Sequence, residues 1–570
     1  MKTIKVIFVS LVFALGLASC TKDFVDINTN PNVVKPEEAS AKYFITNPQT
    51  RLYAPDRYPY WRAHLIHVDR YSGHVTFGFN GCWWSDGLGY TYSVSYTDAA
   101  WGWVEGYLGG LDNFMTLTEP GGDFDNEYMY AVALIMKGLY YQMFTDVFGM
   151  IPYSEAADPN ITQPKFDTQT EIYKGIIADL DAAMTTIGDA TATGDGVDDL
   201  AENDVFCNGD LQQWKAMANT LKLRMAVRAY GADGGAEDAT YGGYITQALA
   251  GPLLTSDVSM EKDNVISQWS AACYGDVWYN FGLGSNWKVG MSVVKRMLET
   301  NDPRLSRYAK KITGANVSFN RPDPAQSQEG YDNFEKRVRF VANVINVQLK
   351  LQGADTSNTF TYTVGSPDVA TFNIPAGYYV GQPTRCNGFT YSFLRDEFLS
   401  DPAEPIIQRK NLGTPIKDEL IVGAAESYFL QAQAALLGFG SGDAKALYDN
   451  GIRAAMAYWG VGTSDQDAYI AANSIGTPTL EDVAVQRWMA LFTDGFEAWS
   501  VVRKSGFPAE LAAGVDDLII YELGTAELNG MFPQRLRYGT GVQNTNATGY
   551  QQAIAAQGGD HQATQLWWAK

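Results

Sequence analysis

Apolar residues recur at helical spacing through most of the chain. Asn126 to Phe148 (NEYMYAVALIMKGLYYQMFTDVF) puts Tyr130, Leu134, Ile135, Leu139 and Phe144 on one stripe, and Gly149 and Pro152 supply the stop. Thr168 with Glu171 is a capping-box pattern that opens a helix through Ile172, Ile176, Leu180 and Ala183. Leu211 to Tyr230 repeats the pattern with Trp214, Met217, Leu221 and Met225 on one face. Glu419 to Leu437, a Gly438/Gly440/Gly442 break, and Ala444 to Trp459 predict a helical hairpin, and Glu481 to Lys504 a further long amphipathic helix. The pairs resemble tetratricopeptide units without a clean 34-residue period. Phe340 to Gly381 is different: its β-branched and aromatic residues, punctuated by turns, predict a β insertion. The expected fold class is mostly α, with helix pairs, short β insertions and long loops.

The first residues give an address. Met1 to Lys5 is short and basic, and Val6 to Leu17 is apolar over about the length of a signal-peptide core, too short to span a bilayer. It ends in Leu17-Ala18-Ser19-Cys20, the pattern of a bacterial lipobox, in which the cysteine is lipidated and becomes the first mature residue. Several acyl chains on one residue hold a protein stably to a membrane. Residues 1–19 are therefore expected to be a lipoprotein signal peptide and 20–40, polar and broken by proline, a tether. Residues 41–570 are expected to form one domain.

Composition narrows the classes. With 42 Lys+Arg against 64 Asp+Glu, the net charge of −22 argues against nucleic acid, whose binding rests on cationic contacts to phosphate. Aromatic residues make up 13% of the chain and histidines number four, a balance that tilts towards binding rather than proton transfer. His64 and His67 lie at i, i+3 with His74 nearby, but no carboxylate follows at a matching helical position, so they are expected to be ordinary core or surface histidines. No nucleophile elbow, phosphate loop or dinucleotide fingerprint occurs, and no cofactor or metal is expected. Cys82, Cys207, Cys273 and Cys386 are widely spaced and could be free or paired.

The positive signal is where the aromatics cluster. Residues 77–103 read FGFNGCWWSDGLGYTYSVSYTDAAWGW. Trp83, Trp84, Tyr90, Tyr92 and Tyr96 stand there among Gly, Ser, Asn and Asp rather than among aliphatics, which predicts a loop presenting rings to solvent. Trp101, Trp103 and Tyr107 follow at helical spacing and are expected in the core. A second cluster is Trp269, Tyr274, Trp278, Tyr279 and Trp287. The apolar face of a pyranose stacks on an indole while neighbouring polar groups bond its hydroxyls. Trp83, Trp84, Trp278 and Trp287 are therefore the candidate platforms, and Asn80, Asp86 and Asn286 the candidate hydroxyl partners. Two or three stacked rings plus polar contacts, at roughly 1–2 kcal/mol each, predict micromolar to millimolar dissociation constants.

Several blocks carry a family resemblance. DVFGMIPYSEA (146–156), WKAMANTLKLRMAVR (214–228), NDPRL (301–305), ESYFLQAQAALLGFG (426–440), GIRAAMAYWG (451–460) and QRWMALFTDGFEAWSVVRKSGFP (486–508) occur in that order. FPQRLRYG (532–539) and a terminal LWWAK (566–570) follow. Together with the lipobox, these resemble the SusD/RagB family of Bacteroidetes outer-membrane lipoproteins, in its starch-binding branch. The resemblance implies an all-α scaffold of tetratricopeptide-like pairs and a non-enzymatic, surface-exposed role. Oligo- or polysaccharide, with glucans among the candidates, would be captured there and delivered to a SusC-like TonB-dependent transporter, with Cys20 as the lipid anchor. Capture of peptides on the same scaffold, or a helical glycoside hydrolase using the same aromatic cleft, are the alternatives.

Overall fold

The computed structural model describes residues 38–53, 60–76, 90–261, 287–407, 417–521 and 527–570. The first part of the chain contributes α1 (Thr46–Tyr53), β1 (Val75–Thr76), α2 (Val94–Thr118), α3 (Glu127–Phe148), α4 (Gln169–Ile187), α5 (Leu211–Ala229), α6 (Asp238–Ala250) and β2 (Val258–Met260). Next come β3 (Lys288–Val289), α7 (Met291–Thr300), β4 (Ala315–Asn320), α8 (Gln328–Leu351), β5 (Phe360–Thr363) and β6 (Val369–Ile374). The last part holds β7 (Glu419–Val422), α9 (Ala424–Leu436), α10 (Ala444–Tyr458), α11 (Thr463–Ala472), α12 (Leu480–Ala490), α13 (Gly495–Ser505) and α14 (Ala547–Gln557). Neighbouring helices pack in pairs, α3 on α4, α5 on α6 and α9 on α10, while the strands form three small antiparallel sheets, β1–β3, β2–β7 and β4–β6–β5. The mostly helical architecture expected from periodicity is the one observed.

Local chemistry sets the helix ends. The Asn126 side chain accepts from the backbone N–H of Tyr128 and Met129 to start α3. In α4 the Glu171 N–H donates to Thr168 Oγ1 at 3.2 Å while Glu171 Oε2 accepts the Thr168 N–H at 2.8 Å, completing the capping box. Gly149 closes α3 with φ 91°, a left-handed backbone that favours glycine, and the Gln557 side chain of α14 packs against it, its Oε1 accepting the Met150 N–H at 2.9 Å.

Four expectations change. The stretch from Glu419 begins as strand: all four residues of β7 are buried, and the helix starts after Gly423. The helix expected over Glu481–Lys504 is two helices, because Thr493 takes a left-handed φ of 83° and the Asp494 carboxylate caps a new helix by accepting from the Glu497 N–H at 3.1 Å. The β insertion expected over 340–381 is helical up to Leu351. There Phe334, Val338, Val341, Ile345 and Leu349 form one buried stripe, and burial along it outweighs the β preference of branched side chains. Finally, α2 begins at Val94, so Tyr96 sits in its first turn rather than in a loop. Trp101, Trp103 and Tyr107 are buried along α2 as their spacing implied.

One continuous core runs from Ala41 to Trp568 and encloses Trp214, Trp488, Trp499 and Trp568 completely. Helices α3 and α5 are buried nearly all round, so the polar residues they carry must be partnered inside. The partners form a charge network. Arg228 pairs with Asp146 and Glu497, and Arg224 Nε donates to Glu426 at 3.0 Å. Arg487 reaches Glu426 at 2.6 Å and Glu497 at 2.5 Å. The Tyr173 hydroxyl donates to Asp146 at 2.6 Å. Burial would raise the Glu497 carboxyl, but Arg228, Arg224 and Arg487 outweigh it and hold the group at about 2.

Asp494, beside this network, goes the other way. Burial first and the Glu497 carboxylate second raise it from 3.8 to about 8. A group raised on folding adds stability below its unfolded value, and that contribution is lost as pH climbs through the folded one, here between 3.8 and about 8. Asn caps a helix as well as Asp does. Asp494→Asn is therefore expected to melt higher than the parent at pH 8, with the gap closing towards pH 5. Thermal melts across that range check it, and a gap independent of pH contradicts the assignment.

Candidate glycan-binding face

The strands that flank the two aromatic-rich segments pair in one ladder. In β1–β3, Val75 pairs with Val289 and Thr76 with Lys288. The chain leaves β1 at Thr76 for residues 77–89 beside the point where residues 262–286 lead into Trp287 and β3. Segments almost two hundred positions apart in sequence thus share a root.

That root is rigid. The Gly290 N–H donates to the His74 carbonyl at 2.8 Å, and the Val289 N–H to the Ser400 carbonyl at 2.9 Å. The Gln382 N–H donates to the Val289 carbonyl at 2.9 Å. A Cβ at Gly290 would lie 1.9 Å from the Gly73 carbonyl oxygen, so the two chains can approach only with glycine there. Lys288, 1% exposed, is bound by Asp396 and by Asp401 at 2.5 Å, which makes a buried lysine tolerable.

The histidines belong to this packing. His74 Nε2 lies 2.8 Å from the Trp488 carbonyl oxygen, and burial lowers its ring to about 3, so it stays neutral. His67 is likewise buried and lowered to about 4, and His64 packs 4.8 Å from the Phe496 ring centroid. Among the described residues no group of three or more His, Cys, Asp and Glu could hold a metal ion. Cys207 and Cys386 are buried free thiols.

Where the chain returns at Tyr90, two aromatic–guanidinium pairs stand at the surface. Tyr90 itself is buried against Tyr71, with ring centroids 5.1 Å apart. Tyr92 is half-buried with the Arg537 guanidinium 4.0 Å from its ring centroid, and Arg537 is held by Glu527 through a 3.1 Å bond from Nε. Tyr96, also half-buried, meets Trp61 edge-on at 5.4 Å, and the Arg62 guanidinium sits 5.6 Å from its centroid. Rings beside fixed guanidinium donors can stack on a sugar and bond its hydroxyls.

Of the residues singled out from sequence, Trp287 corrects the expectation. It is 3% exposed and part of the main core, because it leads directly into a strand whose two residues are both buried, so it offers no open face. Trp83, Trp84, Asn80, Asp86, Trp278, Asn286, Cys20, Cys82 and Cys273 lie outside the described residues. Arg62 and Arg537 were not singled out from sequence. Their only signals were adjacency to Trp61 and a place in the FPQRLRYG block.

A family described as "Starch-binding associating with outer membrane" matches residues 70–363 and 366–539. The chain belongs to this SusD-like family. Solved structures share its fold. A chitin-binding protein superposes with TM-score 0.68 at 22% identity, over 93% of this chain and 100% of its own. A SusD-like protein from Bacteroides thetaiotaomicron gives 0.66 at 22%, over 93% and 98%. A Bacteroidetes SusD-like protein gives 0.69 at 18%, over 93% and 100%. No curated protein matches the SusD-like chain. Among its described residues no helix is long and apolar enough to cross a membrane.

Proposed function

We propose that this SusD-like chain is a lipid-anchored outer-membrane protein that captures oligo- or polysaccharide at the cell surface and passes it to a SusC-like TonB-dependent transporter. The observation that supports the reading is the shared root: β1, which leads into residues 77–89, pairs with β3, which follows residues 262–286, and both of those segments combine Trp with Asn and Asp. Trp83, Trp84 and Trp278 are the proposed stacking platforms, with Asn80, Asp86 and Asn286 as hydroxyl partners. Tyr92, Tyr96, Arg62 and Arg537 would extend the face. Membership in a family described as starch-binding and associated with the outer membrane supports the same direction.

The role is binding without turnover. The mature chain is expected to be retarded in native gels containing the right polysaccharide while releasing no new reducing ends over a day. Reducing ends that accumulate with time would make it a hydrolase instead. Retention of peptides in place of every glycan would move the reading to peptide capture.

A further inference from the structure

A cavity of about 310 Å³ opens between α2, α3, the loop over residues 151–166 and the turn at residues 542–546. Trp101, Tyr140, Tyr141 and Phe166 give it four rings, and among the described residues no acidic or basic side chain lines it. In a chain of net charge −22 that neutrality selects against ions, which are costly to take from water without a partner. Apart from the two tyrosines, its polar side chains are Thr162, Thr545 and Asn546. Asn546 is already spent: its Nδ2 donates to the Pro164 carbonyl at 2.5 Å and its Oδ1 accepts the Gly549 N–H at 3.0 Å.

The cavity is preformed. Tyr538 meets Trp101 edge-on at 5.6 Å and Phe166 edge-on at 5.5 Å, and its hydroxyl donates to the Met150 carbonyl at 2.6 Å. Tyr141 meets Tyr140 edge-on at 4.8 Å and Tyr153 at 4.9 Å. The loop is tied at its neck, where the Asp167 N–H donates to the Ile151 carbonyl at 3.0 Å. Rings fixed in advance lose little freedom when a ligand arrives. The cavity also adjoins the proposed glycan face. Arg537 stacks on Tyr92, the Asp98 carboxylate accepts the Thr540 N–H and hydroxyl, each at 2.7 Å, and Gly539 packs on Trp101. One run along α2 and residues 537–542 thus leads from Tyr92 to the cavity, with Trp101 roughly 10 Å from the start of α2.

We propose, building on the glycan-capture reading above, that this cavity takes the ring of a phenolic acyl ester carried on the captured glycan, such as a hydroxycinnamoyl group. The volume is at the lower end for ligand pockets, enough for one ring and a short ester arm rather than a run of sugars. A flat ring meets the four aromatic walls in the edge and offset contacts that such rings prefer. A pyranose in its place strands its equatorial hydroxyls among rings, each at the cost of an unpaired buried polar group. A carboxylate meets no cation. The ester keeps the arm neutral and leaves the sugar outside, towards Tyr92 and Arg537, with the Thr162 and Thr545 hydroxyls at the exposed mouth.

The test is titration calorimetry of the full mature chain at neutral pH with methyl ferulate as the probe and free ferulate and methyl glucoside as comparators. One site per chain is expected for methyl ferulate, at least tenfold tighter than for ferulate, whose carboxylate is charged at that pH, and methyl glucoside should not compete. Ala156→Phe, from the half-buried loop, and Thr545→Phe, at the exposed mouth, put a ring into the space. Each should weaken methyl ferulate at least fivefold, with a melting temperature within a few degrees of the parent's. The Trp83→Ala/Trp84→Ala/Trp278→Ala variant should bind the probe as the parent does. A feruloylated arabinoxylan oligosaccharide should bind at least tenfold tighter than methyl ferulate and than the same oligosaccharide stripped of its ester. Failure of methyl ferulate to bind, or parent-like affinity in both filled variants, overturns the site. Binding of methyl ferulate with no gain from the attached sugar overturns the glycan-borne source. Retardation by unesterified polysaccharide reads the glycan-capture proposal separately, and it persists if the cavity alone fails.

Discussion

Glu497→Ala is expected to destabilise the protein by about 3–5 kcal/mol, the range for breaking a buried ion pair by deleting one partner. The reason is the number of cations left behind. Glu497 pairs with Arg228 and, at 2.5 Å, with Arg487, and lies 3.7 Å from Arg224. All three guanidiniums are buried, and their remaining acids, Asp146 and Glu426, must then balance them alone. The network joins α3, α5, α9, α12 and α13, so its loss loosens the helix pairs from one another. Denaturant midpoints of parent and variant measure the effect. Because the Glu497 carboxyl is held at about 2 against an ordinary 4.5, its contribution is present above that ordinary value and fades as pH falls towards 2. The parent should therefore lose stability steeply in that acid range and the variant less so. A variant within 1 kcal/mol of the parent at neutral pH would show that the network is dispensable.

The largest effects on binding are expected at Trp83, Trp84 and Trp278. Each single Ala substitution removes one stacking surface, roughly 1–2 kcal/mol, which corresponds to about a 5- to 30-fold loss of affinity for the cognate glycan. Arg537→Ala should cost less, because Arg537 acts partly by bracing Tyr92 from 4.0 Å. Trp287→Ala behaves differently in kind. At 3% exposure, removing that indole leaves a cavity, and about 3–5 kcal/mol of stability goes with it. Calorimetry of folded protein should then find its glycan affinity close to the parent's, while the melting temperature falls. The opposite pattern, intact stability with lost binding, would return Trp287 to the sugar face.

Much of the scaffold was legible because helices announce themselves locally. Asn126, Thr168 and Gly149 each act within a turn or two of their own position, and the caps sit where the spacing put them. The misread elements had separate causes. Glu419 to Val422 is strand because β2, more than 150 residues earlier, pairs with it. The valines of α8 look β-prone one at a time, but Phe334 and Leu349 place them on a buried helical stripe. At the candidate face, the clustering of indoles with Asn and Asp was visible in the sequence, whereas the ladder that joins their segments was not. A two-residue strand carries no pattern of its own. Trp287 shows the same blind spot: composition alone does not separate a ring before a buried strand from a ring in an open loop.

Affinity electrophoresis across a panel of α- and β-glucans and other polysaccharides, with the mature chain beside a Trp83→Ala/Trp84→Ala/Trp278→Ala variant, addresses the glycan face most directly. Retardation of the parent by at least one polysaccharide, lost in the variant while its melting temperature stays within a few degrees, is the expected result. Equal retardation of the two proteins, or a parent that runs freely through every gel, would contradict it.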